Sequence, residues 1–203
     1  MNSPDSSSRR RFMAPCALLS LAAVAAPLSA ATAVRGSKGA RVLVAYFSRS
    51  GNTRVIAGQI ARSLGAAVFQ IEPAQPYPED YFETVEQARR ERDSGFRPAL
   101  KGRVENLDDY DVVYLGFPIW GETAPPVIRS FLASHKLEGK TLVPFITHGG
   151  YGVGDSVKVV AAHARGARLS NAGLVMQADQ ERQTVERVGE WLQNNRPQSA
   201  TAS

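Results

Sequence analysis

Cysteine is all but missing from this chain. The single residue, Cys16, stands at the start of an apolar run, whereas a lipoprotein cysteine would have to close it, so it reads as incidental. If processing removes the N-terminus, neither disulfides nor thiol chemistry contributes to the remaining fold. Histidine is nearly as scarce. His135 and His163 fall in expected helices without ligand spacing, so no metal site is expected. A strong charge of one sign is also lacking: net charge is +5, and basic residues mix with acids, as between Glu86 and Asp93. That pattern describes a solvated face and excludes a nucleic-acid stripe. The loop after the first expected strand has no Gly-Lys-Ser/Thr, so nothing there is placed to neutralise a triphosphate or hold magnesium, which argues against nucleotide hydrolysis. Ser48, Ser50 and Ser156 lie near strand ends without a Gly-x-Ser-x-Gly elbow, which argues against a serine hydrolase. No internal repeat is present.

What is present begins with a leader. Arg9, Arg10 and Arg11, then Phe12 and Met13, precede an Ala/Leu-rich run to about Pro27 and a small-residue site at Ala31-Thr32-Ala33. This resembles a twin-arginine export signal over residues 1–33, a pathway that carries cargo already folded. The expected location is periplasmic or otherwise exported, with contact to the membrane only during export; an uncleaved N-terminal membrane anchor is the alternative. Removing 1–33 takes three arginines and one aspartate and lowers net charge from +5 to +3.

After a linker at 34–40, apolar runs alternate with amphipathic stretches, the pattern of βαβ units. Strands are expected at Val42 to Phe47, Ala67 to Ile71, Val112 to Phe117, Leu142 to Thr147 and Leu174 to Gln177, mostly continuous apolar runs suited to a parallel sheet buried on both faces. Helices are expected around Ile56, Ile60 and Leu64 with Gly65 as stop, at Glu79 to Asp93, behind Pro125-Pro126, at Asp155 to Ala164, and through Val185, Val188 and Leu192. The domain spans 41–195, and 196–203 reads as a disordered tail.

In an open parallel sheet, ligands bind at the carboxyl ends of the strands beside the switch point, and three loops there are unusual. The first, Ser48, Arg49, Ser50, Gly51, Asn52 and Thr53, joins a strand to a helix with hydroxyls, backbone N–H groups and the positive end of a helix dipole, an arrangement suited to one phosphomonoester. An ordinary turn capped by Ser50 or Thr53 is the alternative. The second holds Pro118, Ile119, Trp120, Gly121 and Glu122, where Trp120 is placed to lie flat against a planar ring or, alternatively, to close the end of the core. Gly121 allows a peptide that follows a change in the ligand's protonation. The third holds His148, Gly149, Gly150, Tyr151 and Gly152, with four glycines between 149 and 154. Such density means close backbone approach. Tyr151 is a candidate second stacking face, His148 a hydrogen-bonding group at a ring edge or merely solvated, and Asp155 or Ser156 a cap for the next helix.

Phe47 to Thr53, Gly116 to Gly121 and His148 to Gly152, in this order, resemble the flavodoxin family in its short-chain flavodoxin-like branch, as does Tyr77 to Tyr81 with the charged helix after it. The resemblance implies an α/β, doubly wound, five-stranded parallel sheet of order 2-1-3-4-5 with helices on both faces. It also implies flavin mononucleotide (FMN): Ser48 to Thr53 around the phosphate, Pro118 to Glu122 on one ring face, His148 to Gly152 along the ring edge and other face. No catalytic residue is expected, because protein groups position and tune the ring. Apolar walls and a bound phosphate would disfavour the anionic reduced ring and lower its potential.

The expected function is electron transfer by an exported FMN protein, a non-catalytic or weakly catalytic carrier serving a redox protein or a membrane quinol as a monomer or weak dimer. An FMN-dependent quinone or small-molecule reductase is the alternative. Members of the branch often carry an aromatic where Gly121 stands and a serine or threonine near His148, and a flavin-free binding module on the same fold fits those departures.

Overall fold

The computed structural model describes residues 39–177, 181–195 and 197. The expected export signal at 1–33 lies outside the described residues, as does the expected tail apart from 197. Among the described residues no helix is long and apolar enough to cross a membrane.

The chain alternates strand and helix: β1 (Val42–Tyr46), α1 (Asn52–Leu64), β2 (Ala67–Gln70), α2 (Tyr81–Asp93), β3 (Val112–Pro118), α3 (Pro126–Ser134), β4 (Thr141–His148), α4 (Ser156–His163), β5 (Arg168–Leu169), β6 (Leu174–Gln177) and α5 (Glu181–Asn194). Local chemistry sets the boundaries. Gly65 stops α1 in the left-handed region, its N–H returning to the Ala61 carbonyl. Asp80 caps α2 by accepting the Glu83 N–H at 2.9 Å. Pro126 opens α3, where a missing N–H costs nothing. The expected Glu86 to Arg90 pair forms on α2 at 3.5 Å, exposed and therefore worth little.

All strand pairs are parallel, in the order β2-β1-β3-β4, with both β5 and β6 against β4. This is the expected 2-1-3-4-5 sheet with one difference. The fifth strand comes in two pieces. Leu142 of β4 pairs with Leu169 and Phe145 with Leu174, so three steps along β4 match five along its neighbour and two residues are extra. Pro144 lies in that interval without an N–H for the ladder, and a Cβ on Gly173 would stand 3.1 Å from its ring.

Side chains alternate across the sheet. Leu43, Val113, Leu115 and Leu142 face one layer with Val127, Ile128 and Phe131 of α3. Val44, Tyr114, Val143 and Phe145 face the other, with Ile56 and Ile60 of α1 and Val188 and Leu192 of α5. Both layers are buried and apolar, the signature of a parallel sheet covered on both sides. Val185, expected on the inner stripe of α5, is exposed.

His135, just beyond α3, is buried in the first layer. Its Nδ1 lies 2.9 Å from the Phe131 carbonyl and its Nε2 accepts the Val104 N–H at 3.0 Å, which fixes a neutral ring protonated at Nδ1. Burial lowers its pKa below 6.5. The unfolded chain therefore binds a proton first, so the ring's contribution to stability is complete above about pH 6.5 and is lost as pH falls toward the folded-state value. Thermal melts of the wild type and of His135→Gln at descending pH check this: the wild type loses more melting temperature over that window, and parallel curves would refute it.

Candidate functional site

At the carboxyl ends of β1, β3 and β4 the chain leaves a cleft of about 570 Å³, within the usual range for small-molecule sites. It is lined from the three expected loops by Arg49, Ser50, Asn52 and Thr53, by Pro118, Ile119, Trp120 and Gly121, and by His148 and Gly149. Of the other expected residues, Ser48, Gly51, Glu122, Gly150 and Gly152 shape the loops behind this lining. Tyr151 stands at the loop tip, 89% exposed, and is not part of the wall.

The first loop spends some of its hydroxyls on itself. Ser48 Oγ accepts the Gly51 N–H at 3.1 Å, and Gly51 enters α1 at φ 99°, a conformation closed to most other residues. Thr53 turns inward: its hydroxyl meets that of Thr147 at 2.9 Å, a buried clasp between α1 and β4 across 94 residues. No side chain caps α1, so neither Ser50 nor Thr53 does so. Its first N–H groups and the dipole's positive end are left for a ligand.

In the second loop, Trp120 and Thr123 exchange backbone hydrogen bonds at 3.0 and 3.4 Å around Gly121 (φ 57°) and Glu122 (φ 63°). Two positive φ values make this a type I′ turn. Glu122 holds a conformation that a side chain enters at a cost of about 1–2 kcal/mol. Trp120 stands where the core meets the cleft. Its ring meets Phe47 edge-on at 5.2 Å and Tyr77 at 4.8 Å, closing the end of the core, and it lines the cleft. Tyr77 is fixed in turn by donating its hydroxyl to Glu91 at 2.8 Å; burial first, and then Glu91, push its pKa well up, so it stays a phenol.

His148 organises the third loop. Its Nδ1 accepts the N–H of Gly150 at 3.0 Å and of Gly152 at 3.4 Å, which leaves Nε2 as the protonated nitrogen of a neutral ring. The loop locks onto its neighbour where Asp155 N–H donates to the Glu122 carbonyl at 3.0 Å. Asp155 sits at the N-cap of α4 without a side-chain bond, and Ser156 is buried with its hydroxyl unpaired, so neither caps the helix by side chain.

The fourth wall was not foreseen. Tyr81, Thr84, Val85, Ala88, Arg89 and Arg92 of α2 line the cleft. Their spacing is one helical face, apolar at its start and cationic at its end, a signal present in the sequence but hidden by the helix's abundance of charge. Arg49 ties the first loop to this wall by donating to the Glu79 carbonyl at 2.5 Å. The lining thus carries three arginines and no carboxylate.

The sequence profile of a family described as Flavodoxin matches residues 41–195. The chain belongs to the flavodoxin family. Among solved structures, this flavodoxin-family chain is similar to a protein from Bacteroides eggerthii provisionally termed a flavoprotein, at 33% identity over 77% of this chain and 98% of that one, with a TM-score of 0.66. A similarly termed protein from Bacteroides uniformis matches at 31% identity over 77% and 99%, with a TM-score of 0.68. A flavoprotein from Lactobacillus acidophilus, crystallised in complex with FMN, shares the fold at 20% identity over 75% and 99%, with a TM-score of 0.61. Comparison with curated proteins found no match.

Proposed function

We propose that this flavodoxin-family protein binds FMN in the cleft and transfers electrons through it. The observation that carries the reading is the convergence of three loops on one cleft that opens at the uncapped head of α1 and contains arginines but no acid. The first N–H groups of α1 and Arg49 would hold the phosphate. The turn at Trp120 to Glu122 would support one face of the ring, and the His148 loop its edge and other face. The fold relative from Lactobacillus acidophilus, crystallised with FMN, supports the assignment. FMN supplies one- and two-electron transfer when bound, and this chain's residues bind, orient and shield it.

The first reading of the role is a carrier that exchanges electrons with a redox protein or membrane quinol. The arginine leader supports a place outside the inner membrane, and immunoblots of periplasmic and membrane fractions distinguish a released chain from an anchored one. A reductase is the second reading, favoured by the α2 wall, which offers an unforeseen contact surface.

Titrating the purified protein with FMN tests the cofactor. We expect quenched flavin fluorescence, shifted visible bands and a dissociation constant at or below about 1 μM, which corresponds to roughly 8 kcal/mol. A protein that leaves the flavin spectrum and fluorescence unchanged overturns the proposal. Steady-state turnover with NAD(P)H and a soluble quinone, far above that of free FMN, would replace the carrier by the reductase.

A further inference from the structure

We propose that the cleft also admits a small anionic electron acceptor, a flat apolar ring bearing a carboxylate or sulfonate, oriented by Arg89 and Arg92 of α2. This rests on the FMN reading and names what the bound flavin would reduce.

The argument starts from the distribution of charge. Arg49 lies beside the phosphate loop, where its guanidinium reaches the head of α2 through the Glu79 carbonyl. Arg92 lies at the other end: a Cβ on Gly121 would stand 2.7 Å from its Nη1, so this cation borders the turn expected to support the ring. Eleven residues separate Tyr81 from Arg92, or about 16 Å of helix axis, so the wall runs from one functional end of the cleft toward the other. Arg89 and Arg92 are therefore surplus to a phosphate bound at the head of α1.

Their partners are weak and replaceable. Arg89 meets Glu86 at 2.9 Å and Asp93 at 3.6 Å, and Arg92 meets Asp93 at 3.0 Å. Both carboxylates lie outside the cleft lining, and exposed pairs of this kind contribute little because water screens them, so a ligand's anion can exchange for them at little cost. Along the same face Tyr81, Val85 and Ala88 give apolar contact, with Tyr81 62% exposed and Val85 45%. An apolar stretch ending in two cations matches an aromatic body with an anionic group.

With a quinone acceptor the balance is simple. With FMN bound and reduced, the quinone would take two electrons and two protons, both protons from a neutral reduced flavin or one from an anionic one and one from solvent; its two C=O groups would become C–OH and the flavin would be left oxidised. Arg89 and Arg92 neither give nor take a proton; they are positioning residues.

The test uses full-length protein loaded with FMN, reduced stoichiometrically and mixed by stopped flow with either 1,2-naphthoquinone-4-sulfonate or uncharged 2-methyl-1,4-naphthoquinone. Arg89→Gln/Arg92→Gln is expected to lower the second-order rate with the sulfonate about tenfold and to change that with the neutral quinone by less than about twofold, because a local charge steers only the charged acceptor. Added salt should erode the wild-type advantage for the sulfonate. Arg92→Lys, which keeps the charge, should retain most of the preference. Lys136→Gln/Arg165→Gln removes the same charge beside a separate cavity and should leave both rates alone. Equal losses with the two quinones, no loss with the sulfonate, the same loss in the Lys136/Arg165 variant, or weakened FMN binding in the Arg89/Arg92 variant would each overturn the assignment. A wild type that binds FMN yet shows no preference defeats this inference alone; one that binds no FMN defeats the functional reading and this inference with it.

Discussion

Gly116→Ala should lose about 3 kcal/mol of folding stability, the upper end of the usual cost of forcing a methyl into a packed core. Gly116 and Phe145 are direct partners across β3 and β4, in the middle of the sheet. A Cβ at position 116 would stand 2.0 Å from Cζ and 2.1 Å from Cε2 of the Phe145 ring. The ring is fully buried among Val44, Tyr114 and Val188 in the layer under α1 and α5, so it has nowhere to swing. Relief has to come from displacing the strand or the helices above it. Urea denaturation measures the loss. Phe145→Leu removes the offending ring atoms, and in the double variant it should recover a large part of the Gly116→Ala penalty, the coupling expected of two groups in contact. A Gly116→Ala protein within about 1 kcal/mol of the wild type would contradict the packing described, since clashes this short exceed what small shifts absorb.

Gly154→Ala should act mainly on the ligand. Here the new Cβ would meet backbone: 1.8 Å from the Glu122 carbonyl oxygen and 2.6 Å from its carbon. No side-chain rotation relieves that clash. At φ 50°, alanine also pays the left-handed penalty of about 1–2 kcal/mol. The hydrogen bond from Asp155 to Glu122 must break, and the turn that carries Trp120 and Gly121 moves off its support. FMN affinity should fall by more than about tenfold, or 1.4 kcal/mol, read by fluorescence titration. Because Gly154 is exposed, urea stability should fall less than in Gly116→Ala. Glu122→Gly relaxes the second strained position of the same turn and should leave affinity intact. Unchanged FMN binding in Gly154→Ala would show that the contact between the loops does not hold the ligand wall.

Much of the fold was readable because buried parallel strands are written as unbroken apolar runs, and because Gly65, Asp80 and Pro126 punctuate helices by backbone chemistry that acts locally. The fifth strand was half missed for an equally physical reason. Arg168–Leu169 is too short to show a period, and the residues that bulge between it and Leu174 are accommodated by Pro144 on a different strand. In the site, the three loops were legible from their glycines and hydroxyls. What those groups do was less so. Ser48 and Thr53 read as hydroxyls for a ligand, and the structure adds what the sequence does not show: Ser48 braces its own loop and Thr53 clasps Thr147, a partner that no local pattern reveals. His148 reads as a ring-edge hydrogen-bonding group or a solvated side chain, and its Nδ1 has the further task, not visible in the sequence, of holding the glycine loop closed. The α2 wall depended on how a crossover helix packs beside the strand ends, a tertiary fact.

The break in the fifth strand bears on how such molecules coexist at high concentration. An outer strand is a template on which a neighbour's chain can lengthen the sheet, and long, straight edges invite aggregation. Here that border offers a two-residue run and a four-residue run, set out of step by the bulge opposite Pro144. The two pieces offer a foreign strand no continuous register, so the irregularity that obscured the strand in the sequence also blunts this edge of the sheet against pairing with a neighbour.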